Sequence, residues 1–305
     1  MMYLAAEHFV RAPQWFWYIL FYFFFAGLAG GSYVVGTLLR LSGDARDEPA
    51  ARIAFLIAGP TTLVCPLLLT ADLGVSWTRF WHMLVNVTPG ETGASFKYWS
   101  PMSVGAWALL VFGFFAFVSF VDAWLSARRG GPFVPLLLNR LFNVVGAVVA
   151  LFIASYTGVL ISVSNQPVWS DTWALGGLFL ASGLSGSAAS VAIFIRNRQS
   201  AAISLGRLHQ ADGYFSALEL ALIIAFFITV GAAGTLSREL LWLPLWVIAV
   251  VGVAASLVEA RGQMRAMSSG GGGTLAGIRI DTAVVSILVL LGVLALRAAV
   301  IFSAQ

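Results

Sequence analysis

Eight stretches of this chain are long and apolar enough to cross about 30 Å of hydrocarbon at about 1.5 Å per residue. They run roughly Trp15–Leu39, Ile53–Leu84, Met102–Leu125, Leu141–Val163, Trp173–Ile195, Tyr214–Leu236, Leu241–Val258 and Thr282–Phe302. In lipid every backbone N–H and C=O must be bonded within its own segment, so spans of this length are helices. The predicted fold is an all-α, polytopic membrane protein. Composition agrees: 60% of residues are hydrophobic, 10% are charged and the mean hydropathy is +0.91, whereas a soluble domain is about a quarter charged. Residues 1–14 are short and mixed, and the stretch that follows is too long for the apolar core of a secretory signal. The second stretch is overlong, and Pro60 and Pro66 within it predict a kink or a tilt.

The basic residues set an orientation. Arg40, Arg46 and Arg52 flank the first connection, and Arg128, Arg129 and Arg140 the third. Arg196, Arg198 and Arg207 flank the fifth, and Arg261, Arg265 and Arg279 the seventh. These twelve of the 17 basic residues share one side. Arg11, Arg79, Lys97 and Arg238 fall on the other, and Arg297 lies inside the last span. The positive-inside rule places the odd connections in the cytoplasm and both termini on the extracytoplasmic side. The Gly-rich Ser268–Thr274 stretch reads as a flexible cytoplasmic linker. The net charge of +4 is dispersed over loops and forms no nucleic-acid surface. The single cysteine, Cys65, excludes an internal disulfide and a Cys-ligated cluster or zinc within this chain.

Two small-residue runs suggest a duplication. Gly27 and Gly31 stand four apart in the first span, and Gly183 and Ser187 in the fifth. Small residues at that spacing let membrane helices approach closely. Asp72-Leu73 on the second span echoes Glu219-Leu220 on the sixth. Four spans per half make the repeat parallel. The expected architecture is two four-helix bundles side by side, residues 1–170 and 171–305, each closed by its own glycine run.

Ionisable groups within the membrane are functional candidates. Asp72 is predicted to be the deepest, while Asp122, Glu219 and Glu259 are expected nearer the cytoplasmic ends of their helices. The plainer reading of Asp122 and Glu259 is pairing with loop arginines, and of Asp72 a structural hydrogen-bonded carboxylate. If the second helix continues past Asp72, Arg79 and His82 fall near its face at spacings of seven and three. That row could bind a polar head group and pass protons outward; equally, Arg79 and His82 could anchor the helix among Trp77 and Trp81. Tyr156 is expected below the outer aromatic belt, with Tyr18 and Tyr22 facing it from the first helix. The three histidines, His8, His82 and His209, fall on two sides of the membrane, with His209 in a cytoplasmic loop. No facing pair could ligate a haem, and no acidic and imidazole groups cluster for a metal.

Several of these motifs occur in one order. Gly27-Leu-Ala-Gly-Gly31, Ala71-Asp-Leu-Gly74 followed by Arg79-Phe80 and Met83-Leu84, Ser100-Pro-Met-Ser-Val-Gly-Ala-Trp107, and Tyr156-Thr-Gly-Val-Leu-Ile-Ser162 with Pro167 and Trp169 together resemble the NrfD/PsrC family. These are the quinone-reactive membrane subunits of polysulfide-reductase-like complexes. The match covers the first 170 residues; the second half matches by helix count and by its glycine run. Val75-Ser76-Trp77 stands where the family's second-helix signature has a proline. The resemblance implies a bacterial or archaeal cytoplasmic membrane subunit that binds menaquinone or ubiquinone toward the outer side of the first bundle, with Tyr156 and Tyr22 as ligands and Arg79 beside them. It implies no haem or metal in this chain. The implied partners are a multi-cluster iron–sulfur subunit at the outer face and a molybdopterin or related catalytic subunit. In this reading the connections Asn86–Ser100 and Ser164–Asp171 are the docking loops. Asp72 and His82 relay protons, and Asp122 and Glu219 are candidates for a route to the cytoplasm. A secondary transporter and a structural anchor without a quinone site are the competing expectations.

Overall fold

The computed structural model describes residues 11–74, 77–129, 135–198, 201–268 and 281–305. Among the described residues nine α-helices follow in order: α1 Trp17–Leu41, α2 Glu48–Asp72, α3 Pro101–Arg129, α4 Leu136–Ser162, α5 Leu175–Ile195, α6 Ala202–Ala233, the five-residue α7 Leu236–Leu240, α8 Leu243–Ser268 and α9 Thr282–Ser303. All but α7 are long and apolar enough to span a membrane. The molecule is thus an all-α polytopic membrane protein, as its apolar pattern predicts. Short 3-10 turns occupy Ala45–Asp47 and Trp77–Met83. His8 and most of the Ser268–Thr274 linker lie outside the described residues.

Helices α1 and α5 form the centre. In each, 83% of the apolar window is buried, against 22% in α3. Helix α1 packs on α2, α4, α5 and α9, while α5 packs on α1, α4, α6 and α9, and α8 packs on α6 and α9. The glycine runs explain this, and they correct an expectation. Each was predicted to close its own bundle. Instead they meet each other. A Cβ at Gly31 would collide with the Gly183 carbonyl and the Ser187 hydroxyl, and one at Gly183 would meet the Gly27 backbone. Ser187 Oγ donates to Leu28 O at 3.1 Å across the same contact. With no side chain between them the two backbones touch, which is how membrane helices gain packing energy without a hydrophobic force.

Two boundaries depart from the sequence reading, and both change the depth of a carboxylate. The second helix was predicted to run to Leu84. It ends at Asp72 because Gly74 turns the chain into the left-handed region, φ +59°, a conformation glycine adopts without the Cβ penalty. Asp72 therefore stands at a helix end instead of mid-membrane, and Arg79 and His82 sit on the separate 3-10 turn. The shared helix face of Asp72, Arg79 and His82 does not exist. The sixth helix was predicted from Tyr214 and begins at Ala202. Its first three turns mix polar and apolar residues, so hydropathy alone reads them as loop. His209 consequently belongs to a helix, and Glu219 lies near the middle of α6. The Asp72/Glu219 echo thus joins two residues at different depths.

The helix ends sort into two faces. One gathers the C-terminal ends of α1, α3, α5 and α8 with the arginine-rich connections. The other gathers Trp15, the long segment 73–100 and the C-terminus, where Trp15 N donates to Gln305 Oε1 at 3.0 Å. These are the basic end and the aromatic end.

Candidate functional site

Tyr22 of α1 and Tyr156 of α4 are buried, 4% and 6% exposed. Tyr156 and Cys65 of α2 both lie close enough to the Tyr22 hydroxyl to interact with it electrostatically. The structure therefore brings the two predicted tyrosines into one neighbourhood. The two hydroxyls differ. Tyr156 Oη donates to the Pro101 carbonyl at the start of α3, its ring stacks on Phe152 at 5.5 Å, and it fills the space left by Gly105. The Tyr22 hydroxyl has no hydrogen-bond partner among the described residues, although a buried phenol ordinarily finds one. Its ring rests on Phe23, 5.5 Å away. This unpaired donor on a buried ring suits a ligand carrying a carbonyl acceptor.

The other residues predicted for this site stand apart from the pair. Asp72 is half-buried at the end of α2, with no hydrogen-bond or ion-pair partner among the described residues. Arg79 is exposed, and the half-buried His82 stands edge-on to Trp81 at 4.3 Å.

Asp122, 2% exposed, belongs to a polar chain through the first four helices toward the basic end. Tyr33 Oη lies 2.9 Å from Ser119 Oγ, which donates to Asn143 Oδ1 at 3.2 Å. Asn143 donates to Asn139 Oδ1, and Asn139 donates to Asp122 Oδ2, each at 2.9 Å. Arg40 closes the chain, donating to Asn139 at 3.0 Å and to Asp122 at 3.1 Å, and reaching Glu48 at 3.2 Å. A cavity of about 430 Å³ between α3 and α4 exposes Ser119, Asp122 and Asn139 on an otherwise apolar wall of Phe115, Phe142 and Val145. Sequence reading named Asp122 alone. The four-residue spacing of Asn139 and Asn143 on an apolar helix was the available signal for the rest.

The later helices hold a second polar group. Asp212 of α6, 5% exposed, accepts from Ser185 Oγ of α5 at 2.6 Å and from Ser256 Oγ of α8 at 2.7 Å. Ser216 Oγ donates to Ser256 Oγ at 2.9 Å and lies 3.2 Å from Ser185 Oγ. One turn earlier, His209 Nε2 approaches Glu259 Oε1 at 3.3 Å. The approach misses hydrogen-bond geometry, leaving both ring nitrogens buried without a bond. Glu259 accepts from Thr282 at 2.9 Å. Glu219, 2% exposed, lies within electrostatic range of Asp212 and Arg297. Arg297 is fully buried and ties α9 to α1 and α5: Nε donates to Phe23 O at 3.1 Å, Nη1 to Ser182 Oγ at 2.9 Å and Nη2 to Phe179 O at 3.1 Å. Asp212 escaped the sequence reading because it fell outside the predicted sixth span.

A third group joins the halves at the basic end. Asp47, fully buried in the α1–α2 connection, accepts from Ser42 and Ser204, each at 2.7 Å, and from Arg207 of α6. Arg46 grips the neighbouring Asp44 through Nη2 at 2.8 Å, and this guanidinium holds the Asp44 carboxyl well below the usual carboxylate range. At the aromatic end, burial raises the carboxyl of Glu239 in α7, which accepts from Trp246 Nε1 at 2.7 Å.

The family described as "Polysulphide reductase, NrfD" matches residues 6–258. The sequence is 25% identical over 230 residues to the C component of polysulfide reductase from Wolinella succinogenes, covering 70% of this protein and 69% of that one. It is also 25% identical over 116 residues to the C component of selenate reductase from Mesobacillus selenatarsenatis, covering 38% of this protein and 24% of that one. With eight apolar helices and a family match over most of its length, the chain belongs to the NrfD family of integral membrane proteins.

Proposed function

We propose that this chain is the quinone-reactive membrane subunit of a multi-subunit oxidoreductase, and that it exchanges electrons with a docked iron–sulfur protein. The observation that carries the reading is the buried Tyr22, whose hydroxyl has no hydrogen-bond partner among the described residues, beside Tyr156, in a chain of this family. A carbonyl-bearing ligand would pair this donor. A bound quinone would supply the two-electron, two-proton chemistry. Tyr22 donates to a head-group carbonyl. Tyr156, its ring fixed by Gly105 and Phe152, exchanges the Pro101 carbonyl for the ligand. Apolar walls of α1, α2 and α4 exclude water.

Family membership supports assigning the electron-exchanging partner to a reductase assembly, because both relatives are named as parts of reductases. We assign helices α1–α4 to the quinone-bearing unit and the later helices to a second unit. The basic end is assigned to the cytoplasm by the positive-inside rule. The iron–sulfur subunit and its molybdopterin or related catalytic subunit then dock at the aromatic end, where segment 84–100 exposes Tyr98 and Trp99 at 77% and 67%. Asp72 and His82, both at that end, are the proton donors and acceptors nearest the outer surface. Arg79, exposed on the 3-10 turn, belongs to the head-group border. Asp122 and Glu219 are the carboxylates through which protons would reach the basic end.

The intact complex in lipid tests the reading by quinol-linked electron transfer. Loss of one donor to the ligand predicts a fall in kcat/KM of about 10-fold for Tyr22→Phe, and of similar size for Tyr156→Phe. Wild-type rates in both variants would remove the assigned site.

A further inference from the structure

Asp212 lies deep in the helix bundle and has no cation at ion-pair distance among the described residues. Its neighbours are hydroxyls. The four groups form a closed ring: Asp212 Oδ1 to Ser185 at 2.6 Å, Ser185 to Ser216 at 3.2 Å, Ser216 to Ser256 at 2.9 Å, and Ser256 to Asp212 Oδ2 at 2.7 Å. A protonated Asp212 supplies the fourth hydrogen: its Oδ1–H donates to Ser185, reversing the bond that an ionised carboxylate accepts there, and Ser185 donates onward to Ser216. Each of the four groups then donates once and accepts once around the ring, and no charge is left in the bundle. An ionised Asp212 leaves the ring one hydrogen short and a bare negative charge among apolar helices, which burial penalises heavily. The oxygens also touch at hydrogen-bond distance. That leaves no opening for a cation such as Na⁺, which would have to force them apart.

A second observation points at the same place. His209 sits one turn before Asp212 on α6, 4% exposed, with both ring nitrogens lacking a hydrogen bond and Nε2 directed at Glu259. A buried imidazole with free nitrogens beside a carboxylate is equipped to take and pass a proton. The groups facing Asp212 are few. Helix α6 brings His209 and Glu219, and α8 brings Glu259. Helix α5 brings only serines, and α9 brings Arg297 toward Glu219 and Asp281 toward Glu259. From His209 to Glu219 the row covers about 15 Å along α6 at about 1.5 Å per residue. It starts near the basic end and finishes within range of Arg297, whose Nε holds the Phe23 carbonyl next to Tyr22.

We propose that Asp212, ringed by Ser185, Ser216 and Ser256, is a proton-binding site that rests as a neutral acid and exchanges its proton with the basic end through His209 and Glu259. Binding adds one proton to the carboxylate, and release returns it to the His209–Glu259 pair. The serines relay without net loss, each passing on one hydrogen as it receives another, and no electron moves. The site deepens the proton route proposed above by naming its acceptor in the later helices.

Infrared difference spectroscopy on the intact complex in lipid nanodiscs tests this at neutral pH. The wild-type minus Asp212→Asn difference should contain one protonated carboxylic-acid band, and Ser256→Ala and Ser185→Ala should each shift it. If Asp212→Asn fails to assemble, the two serine variants carry the test alone. A difference spectrum holding a carboxylate band instead, or serine variants that leave the acid band unmoved, would overturn the proposal. So would a wild-type acid band that disappears on exchanging K⁺ for Na⁺, since that marks a cation site. Tyr22→Phe, measured in parallel, separates the two readings: it should slow electron transfer and leave the Asp212 band in place. Full activity in both Tyr22→Phe and Tyr156→Phe with the band present would reject the quinone site and keep the proton site.

Discussion

The first four helices and the later ones bury carboxylates in opposite ways. Asp122 is neutralised by charge: Arg40 lies 3.1 Å away, and Asn139 donates to the same oxygen at 2.9 Å. Asp212 is surrounded by three serines. Arg297, the cation buried in the later half, directs its hydrogen bonds to the carbonyls of Phe23, Phe179 and Val293 and to Ser182. The Asp122–Arg40 pair ties α3 to α1. A carboxylate held only by hydroxyls can bind and release a proton with little rearrangement. The two regions therefore bury a carboxylate by different means, one with a guanidinium that ties helices together and the other with hydroxyls.

The sharpest way to break this contrast is to remove the fastener. Arg40→Ala leaves Asp122 buried without its cation, and removing one partner of a buried pair costs about 3–5 kcal/mol. Thermal unfolding of the detergent-solubilised protein should show a large fall, recovered in good part by the double change Arg40→Ala with Asp122→Asn. An Arg40→Ala protein as stable as wild type would mean that Asp122 is not held by charge.

The seam between the halves comes next. Gly31→Leu would drive a side chain into the Gly183 carbonyl and the Ser187 hydroxyl. Overpacking of a tight contact costs about 1–3 kcal/mol and sometimes more. The expected result is a lower yield of monodisperse protein and a lower melting temperature, with Gly31→Ala intermediate. If Gly31→Leu is tolerated, the halves are joined by something other than this contact.

The seam also shows what was legible in advance. Hydropathy revealed eight helices because the bilayer demands long apolar runs. The positions of Gly27, Gly31, Gly183 and Ser187 revealed close packing, but spacing cannot say which helix is the partner, and the runs proved to face each other. Tyr156 stood out as an aromatic residue below the outer belt whose hydroxyl needs a partner, and Tyr22 as a residue that could face it from the first helix. Asp212 was missed for a local reason. The first turns of α6 alternate Arg207, His209 and Asp212 with apolar residues, so they read as loop. Only packing against α5 and α8 makes His209 and Asp212 a buried helix face. Asp72 was misplaced by the converse error, since hydropathy runs on past Gly74 while the backbone does not.

The same substitution placed in each region sharpens the comparison at smaller magnitude. Asp122→Asn removes a charge-assisted bond to Arg40, an effect of about 1.5–3 kcal/mol. Asp212→Asn keeps size and acceptor and removes a proton site that is neutral at rest, so its effect on unfolding should stay near 1 kcal/mol or less. Equal losses at the two positions would mean that Asp212 is ionised and paired in the folded protein.

The smallest effect belongs to the joint between the halves at the basic end, where Asp44 meets Arg46 and Arg207. The Arg46 guanidinium, through its side-chain hydrogen bonds, is the main cause that lowers the Asp44 carboxyl below its ordinary value. A carboxyl whose folded pKa is depressed contributes stability above its unfolded value, about 3.9, and loses it as pH falls through the folded value. The wild-type protein should therefore outmelt Arg46→Ala at neutral pH, and the gap should close as the solution is acidified below about pH 4. High salt should narrow the same gap, because Arg46 is exposed and its pairing is screened. Asp122, enclosed with Arg40 at 2% and 8% exposure, should ignore salt over that range. A salt response of equal size at Asp122 would show that the first bundle's fastener is open to water, and would erase the distinction between a buried lock and a surface clasp.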